Sequence, residues 1–271
     1  MAWSLILDIL SFCLDLASWR EQRGEPKISK FEQHFIAACA AEGKQRDNLL
    51  ARFCDECRLL HEKKPNDSRV LHKWGSALWR RAGSASDSES GRLYEQADKR
   101  FVQALAIEPN NGEIHAERVE MLRRRAMLYP DEKGRRLLRE VCELCEKWTG
   151  IYASGPQDAR ILGVWGPALS NIAAYEAGAE RERLYEEADD KLQRAYALSA
   201  NADFFVNRAD ILLCRSVSRR GVVDRNALTR VCDLCREINP GSHTTASRRI
   251  RTRQAPTLCQ PACARLLRRN A

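Results

Sequence analysis

Glycine and proline are both scarce in this chain, at 14 and 9 residues of 271. Sheet-rich folds need many tight turns, which these two residues favour, so their scarcity argues for helices. Long uncharged apolar runs are also missing. Hydrophobic residues at 44% and charged residues at 30% disfavour both a disordered chain and a multispanning membrane protein. Collagen-like, disulfide-miniprotein and all-β architectures are disfavoured on the same grounds.

The usual signatures of catalysis are missing too. No GxxxxGK[ST], GxGxxG or GxSxG occurs, which removes the common phosphate and hydrolase motifs. The five histidines, His34, His61, His72, His115 and His243, form no HExxH or other metal pair at helical spacing. His72 reads as a surface histidine. Glu186-Glu187 and Asp189-Asp190 sit among Arg and Lys and read as salt-bridged helix surface rather than general acids. No enzyme, cofactor or small-molecule substrate is expected.

Acidic residues are missing from one end. Residues 242–271 contain Arg248, Arg249, Arg251, Arg253, Arg265, Arg268 and Arg269 but no Lys, Asp or Glu. Removing those seven charges from the formal +8 leaves +1 for residues 1–241. Basicity is thus a property of the tail, residues 241–271, which reads as largely flexible. Such a tail suits phosphates of nucleic acid or anionic lipid, and RRIRTR resembles a short nuclear-localisation patch. A solubilising tail is the plainer reading. It has no interleaved aromatics, which argues against RNA recognition by stacking.

At the other end, residues 1–24 begin with the apolar stretch MAWSLILDILSFCLDLASW. No Lys or Arg precedes Arg20, so a secretory n-region is missing. Ser4, Asp8, Ser11, Asp15 and Ser18 recur at four- and three-residue steps, giving one narrow polar stripe on an otherwise apolar helix. Two aspartates oppose a membrane span. The segment reads as an amphipathic helix that caps the body or makes a peripheral membrane or oligomer contact.

What the chain does have is an internal repeat. RVLHKWGSALWRRA from Arg69 matches RILGVWGPALSNIA from Arg160 at an offset of 91. RLYEQADKRFVQALAIEPN from Arg92 matches RLYEEADDKLQRAYALSAN from Arg183 at the same offset. ERVEMLRRRA from Glu117 matches NRADILLCRS from Asn207 at 90. FCDEC at 53–57, VCELC at 141–145 and VCDLC at 231–235 form a third series, spaced by 88 and 90. Within the unit, Ala97, Phe101 and Ala104 follow steps of four and three, one face of a helix. Pro109 then stops it.

These residues resemble the tetratricopeptide repeat, in which W-x2-L-G-x2-Y opens a first helix and A-x3-F with a later P marks the second. Leu71, Trp74, Gly75 and Leu78 stand at first-helix positions, and Ala97, Phe101, Ala104 and Pro109 at second-helix positions. The segment from Gly75 to Ala97 is about ten residues longer than the family norm, with AGSASDSESG placed between the helices. The resemblance implies an all-α, right-handed superhelical solenoid of antiparallel helix pairs. Over residues 30–240 five pairs are expected, at 30–65, 68–109, 112–150, 157–200 and 202–240. Stacked pairs supply each other's core.

The resemblance also implies a concave groove lined by the first helices, for a peptide or helix of a protein partner. Its expected face is Arg69, His72, Ser76 and Trp79, then Ala116, Glu120 and Arg123, then Arg160, Pro167 and Asn171. Trp79 falls off the packing positions and reads either as an interface anchor or as packed under the 82–91 insertion. His72, Ser76 and Glu117 stand where some family members clamp a peptide carboxylate with Lys and Asn, which argues against that ligand.

Eleven cysteines, an odd number, imply free thiols and a reducing, intracellular and cytoplasmic setting, with the nucleus or a peripheral membrane as alternatives. The C-x2-C pairs lie in helical patterns at positions that want small apolar side chains, so packing is expected rather than metal or redox chemistry. Cys259 and Cys263 form a separate C-x3-C in the tail. The expected role is a non-enzymatic protein–protein adaptor. A nucleic-acid or anionic-membrane module acting through the tail is the alternative.

Overall fold

The computed structural model describes residues 29–149, 156–199 and 201–216. The amphipathic segment 1–24, Cys232, Cys235 and the arginine-rich tail lie outside them. The described residues are all-α, with no strand among them. They form α1 (Lys30–Ala40), α2 (Gly43–Lys63), α3 (Ser68–Ala82), α4 (Asp87–Ile107), α5 (Gly112–Ala126), α6 (Glu132–Trp148), α7 (Pro156–Ala173), α8 (Gly178–Ser199) and α9 (Ala202–Ser216). No helix among the described residues is long and apolar enough to cross a membrane.

Helix starts follow from local chemistry. A helix leaves its first N–H groups without intrahelical partners, and Ser, Asp or Asn side chains accept them. Ser29 and Glu32 form a reciprocal capping box on α1. Asp67 accepts from the Val70 N–H at 3.1 Å to open α3. Asn111 accepts from Glu113 and Ile114 at the start of α5, and Asn201 from Asp203 at the start of α9. Asp131 accepts from Lys133 and Gly134 to open α6. Gly43 and Gly178 enter α2 and α8 at φ of 53° and 61°, a region that disfavours residues with a Cβ.

The residues that the repeat marks as an insertion mostly extend helices. Only Gly83–Ser86 lie between α3 and α4, and Asp87 to Gly91 belong to α4. Asp87 and Glu89 place negative charge in the first turn, where the helix dipole favours it. The Ser90 hydroxyl donates to the Ala82 carbonyl at 2.8 Å and ties the two helices together.

The chain divides into two compact units, Met1–Ile114 and His115–Ala271. In the first, α2 packs on α1 and α3, and α3 packs on α4. Contacts between α3 and α4 run in opposite order along the two helices: Ser68 with Glu108, His72 and Gly75 with Phe101, and Ala82 with Ser90. The pair is therefore an antiparallel hairpin. Leu50, Phe53 and Cys57 of α2 are buried in this unit together with Leu71, Ala77, Leu78, Ala97, Phe101 and Ala104 of the hairpin.

In the second unit α7 is the central helix, packed on α6, α8 and α9. Every residue from Asp158 to Ala173 except Arg160 is buried. A helix apolar on all sides belongs inside, and small residues let its neighbours close in. A Cβ on Gly166 would lie 2.6 Å from Leu192 Cγ, and one on Gly163 would lie 2.1 Å from the Phe204 ring. Gly163 and Gly166 are thus the points of closest approach of α9 and α8. Contacts between α8 and α9 also run in opposite order, Asp189 with Arg208 and Glu182 with Arg215.

Candidate functional site

The ten groove candidates fall four in the first unit and six in the second. In the first, α3 presents Arg69 to solvent and buries His72 and Ser76, which are 5% and 0% exposed. Trp79 is half-buried. The expected surface position of His72 is corrected: its ring lies 6.1 Å from that of Phe101, inside the α3–α4 hairpin. The middle of the side of α3 assigned to a ligand, His72 and Ser76, is packed, and α3 is flanked by both α2 and α4.

Arg69 is already engaged. Its guanidinium contacts Glu32 at 2.5 Å and donates to Ser29 Oγ at 3.3 Å, clasping the capping box of α1. Partial burial opposes ionisation of Glu32. The Ser29 backbone N–H and Arg69 overcome it and hold the carboxyl below its ordinary range.

Beside it lies a cation–aromatic strip that periodicity did not mark. The ring of Phe35 on α1 has Lys73 Nζ and the Arg80 guanidinium each 5.4 Å from its centroid. Arg80 also lies 4.6 Å over the Trp79 ring and donates to the Ser76 carbonyl at 3.0 Å. Ile36, next along α1, is 39% exposed. Phe35 at four residues from Phe31, and Arg80 beside Trp79, were the available signals. Phe31 and Phe35 of α1 both lie against Phe53 of α2, with ring centroids 4.8 and 5.2 Å apart.

In the second unit Ala116, Pro167 and Asn171 are buried. Asn171 Nδ2 faces Met127 Sδ at 3.4 Å, and Pro167 sits within α7 itself. Pro167 and Asn171 are packing residues rather than a groove lining because α7 has neighbours on three sides, and Ala116 on α5 is buried as well. Glu120 is held by Arg123 through two bonds of 2.9 and 3.0 Å and by Arg124 at 2.6 Å. Burial raises its pKa, and the two guanidinium groups reverse this, so Glu120 stays ionised below its ordinary range. Arg160 is exposed and lies 3.9 Å from the buried Glu117. His115 is buried and stacks on Trp148 at 3.7 Å.

The acid pairs of α8 are salt-bridged surface. Arg183 holds Glu180 and Glu187, Arg215 holds Glu182 and Glu186, and Arg208 holds Asp189.

The cysteine pairs lie within helices α2 and α6. Cys54, Cys57 and Cys145 are buried, Cys142 is half-buried, and all four are free thiols. Loss of solvent pushes the Cys54 thiol up to about 11 and Cys142 to about 12, and raises Cys57 and Cys145 further. Buried neutral thiols are poor nucleophiles and poor metal ligands. The seven tail arginines and the Cys259–Cys263 motif lie outside the described residues.

The chain matches no known family model and no curated protein sequence.

Proposed function

We propose that the chain is a non-enzymatic protein–protein adaptor, built as a tetratricopeptide-like solenoid that binds a peptide or helix of its partner. The observation that carries this reading is the repeated hairpin. Trp74, Gly75, Ala97, Phe101 and Ala104 in α3–α4 recur 91 residues on as Trp165, Gly166, Ala188, Leu192 and Ala195 in α7–α8, and all ten are buried. Repeated hairpins with apolar seams are scaffolds that present side chains rather than reaction centres. A right-handed superhelix and further pairs beyond Ser199 belong to the same proposal.

Burial of His72, Ser76, Ala116, Pro167 and Asn171 moves the proposed contact surface. In the first unit it is the strip of Phe35, Ile36, Lys73, Trp79 and Arg80. Half-buried aromatics beside cations suit a peptide that carries both an apolar anchor and a carboxylate. The test is selection of peptides from a displayed library on the full-length chain, followed by binding to Trp79→Ala and Ile36→Asp variants. Peptides enriched on the parent and lost on both variants support the reading. Failure to enrich any peptide, or binding that both variants retain, overturns it.

The alternative places nucleic acid or anionic membrane on the arginine-rich tail. Seven arginines without one carboxylate in residues 242–271 favour it. Binding through that tail weakens steeply with salt, and binding unchanged between about 50 and 200 mM salt removes it.

A further inference from the structure

Helix α1 leaves most of itself uncovered. Of its eleven residues only Ala38 is buried, whereas α3, flanked by two helices, buries ten of fifteen. Phe31, Phe35, Ala37 and Cys39 of α1 are half-buried, and Ile36 is 39% exposed. Beside this face stands the cationic side of α3. Arg69, Lys73, Arg80 and Arg81 give that helix a charge of +4, with no Asp or Glu in it. Lys73 Nζ and the Arg80 guanidinium both lie 5.4 Å from the Phe35 centroid, and Lys73 also meets Glu113 at 3.4 Å. Lys73 and Arg80 are seven residues apart, two helical turns or roughly 10 Å.

Residues 1–19, which lie outside the described residues, match this strip in charge, spacing and reach. Asp8 and Asp15, with no Lys or Arg, give the segment a side-chain charge of −2. These two carboxylates are also seven residues apart. On the helix that the polar stripe predicts they stand at the same roughly 10 Å as the two cations. Leu5, Phe12 and Trp19 are each three or four residues from one of the aspartates, so apolar side chains border the acidic edge. Nine residues, Arg20 to Ile28, join Trp19 to the capping residue Ser29. Fully extended they reach about 30 Å. Phe35 is six residues beyond Ser29, about 9 Å along α1. So short a link holds the segment near the strip at an effective concentration of about a millimolar.

We infer that residues 1–19 dock in cis on the α1–α3 strip, with Asp8 and Asp15 on Lys73 and Arg80 and the apolar edge against Phe35, Ile36 and Trp79. The inference rests on the reading of that strip as a peptide surface, and it adds regulation, because the chain then carries its own competitor for the peptide it binds. A second copy seated strip against strip would bring Lys73 and Arg80 of both copies together, which like-charge repulsion opposes. An anionic membrane repels a segment whose side chains carry only negative charge. A partner peptide uses the same chemistry without the tether, so it displaces the segment only by binding more tightly.

The test uses the full chain with Phe12 replaced by the photo-crosslinking residue p-benzoylphenylalanine, and Leu5 as a second probe position. After illumination of dilute protein, tryptic mapping should place the crosslink within one chain, on residues 31–44 of α1 or 74–80 of α3. Asp8→Lys with Asp15→Lys should lower its yield about tenfold, and adding Lys73→Glu with Arg80→Glu should restore most of it. Unchanged helical circular dichroism checks that the fold is intact. Crosslinks elsewhere in the chain, crosslinks only between two chains, or a yield indifferent to the charge reversal each overturn the inference. So do crosslinks to lipid in place of the chain when phosphatidylcholine vesicles are added. Library-selected peptides should bind the Asp8→Lys, Asp15→Lys chain about tenfold tighter than the parent, and equal binding overturns the competition. The two readings fail separately. A crosslink at the strip with no peptide selected leaves the cis contact standing and removes the external partner. Peptides bound at the strip with crosslinks elsewhere do the reverse.

Discussion

The Arg100 guanidinium lies 3.7 Å from the centroid of the Trp74 ring. The same relationship recurs 91 residues later, where Lys191 Nζ lies 4.3 Å from the Trp165 ring. In each hairpin the second helix lays a cation across the buried tryptophan of the first. Burial depresses the pKa of Arg100, so this charge is partly stripped of water, which strengthens its attraction to the ring. Arg100→Ala is expected to cost about 1–2 kcal/mol in urea unfolding, through removal of both the cation and its apolar stem. Arg100→Met keeps the stem and should recover about half. A methionine variant as stable as the parent would mean that the charge contributes nothing and only the stem packs.

The glycines beside these tryptophans should respond differently to alanine. A Cβ on Gly75 would meet the Phe101 ring at 3.1 Å, a side chain that can give slightly. One on Gly166 would meet Leu192 Cγ at 2.6 Å and the Ala188 carbonyl oxygen at 2.9 Å, and backbone does not yield. Alanine gains roughly 0.5–1 kcal/mol over glycine inside a helix. Gly75→Ala is therefore expected near neutral, and Gly166→Ala destabilising by about 1–3 kcal/mol from overpacking. Equal unfolding midpoints for the two variants would contradict this account.

Repeat spacing made the packing residues legible. Trp74, Leu71, Leu78, Ala97, Phe101 and Ala104 are buried where their spacing placed them, and Ser, Asp and Asn stand at helix starts. The contact surface was much less legible. The periodicity of one helix shows which face is apolar, but not how many neighbours surround it. His72, Ser76 and Asn171 are polar and small enough to look solvent-facing, yet α3 and α7 have neighbours on more than one side. The serine-rich stretch at 84–90 looked like a loop by composition. Acidic first-turn residues and the Ser90 hydroxyl turned most of it into helix.

The buried thiols make a pH prediction. An ordinary thiol titrates near 9.0, and burial moves Cys54 to about 11 and Cys142 to about 12 in the folded state. A group whose folded pKa is raised stabilises the fold fully below the unfolded value, and that contribution disappears as pH climbs toward the folded value. Stability should thus be level through pH 8 and fall between about pH 9 and 11. Cys54→Ala with Cys142→Ala should flatten part of that fall, measured as urea midpoints at pH 8 and pH 10. A disulfide-exchange reagent at pH 8 should modify the buried Cys54 only as fast as the chain unfolds. Rapid labelling of Cys54 in the folded protein would show that it is open to solvent.

Helix α9 is joined to α8 by two kinds of ion pair, and they should not be worth the same. Arg208 meets Asp189 through two bonds, Nε at 2.5 Å and Nη2 at 3.1 Å, with each side chain about one quarter exposed. Arg215 bridges Glu182 and Glu186 at 2.8 Å each, but the two carboxylates are 49% and 65% exposed. Water and salt screen the second pair, and long exposed side chains lose entropy when fixed. A double-mutant cycle on Asp189→Ala and Arg208→Ala should give a coupling of about 1 kcal/mol, whereas one on Glu182→Ala and Arg215→Ala should give about 0.3 kcal/mol. Raising salt from about 0.05 to 0.5 M should erase the smaller coupling and leave most of the larger. Equal couplings would mean that the two-bond geometry and partial burial of Arg208 and Asp189 add nothing.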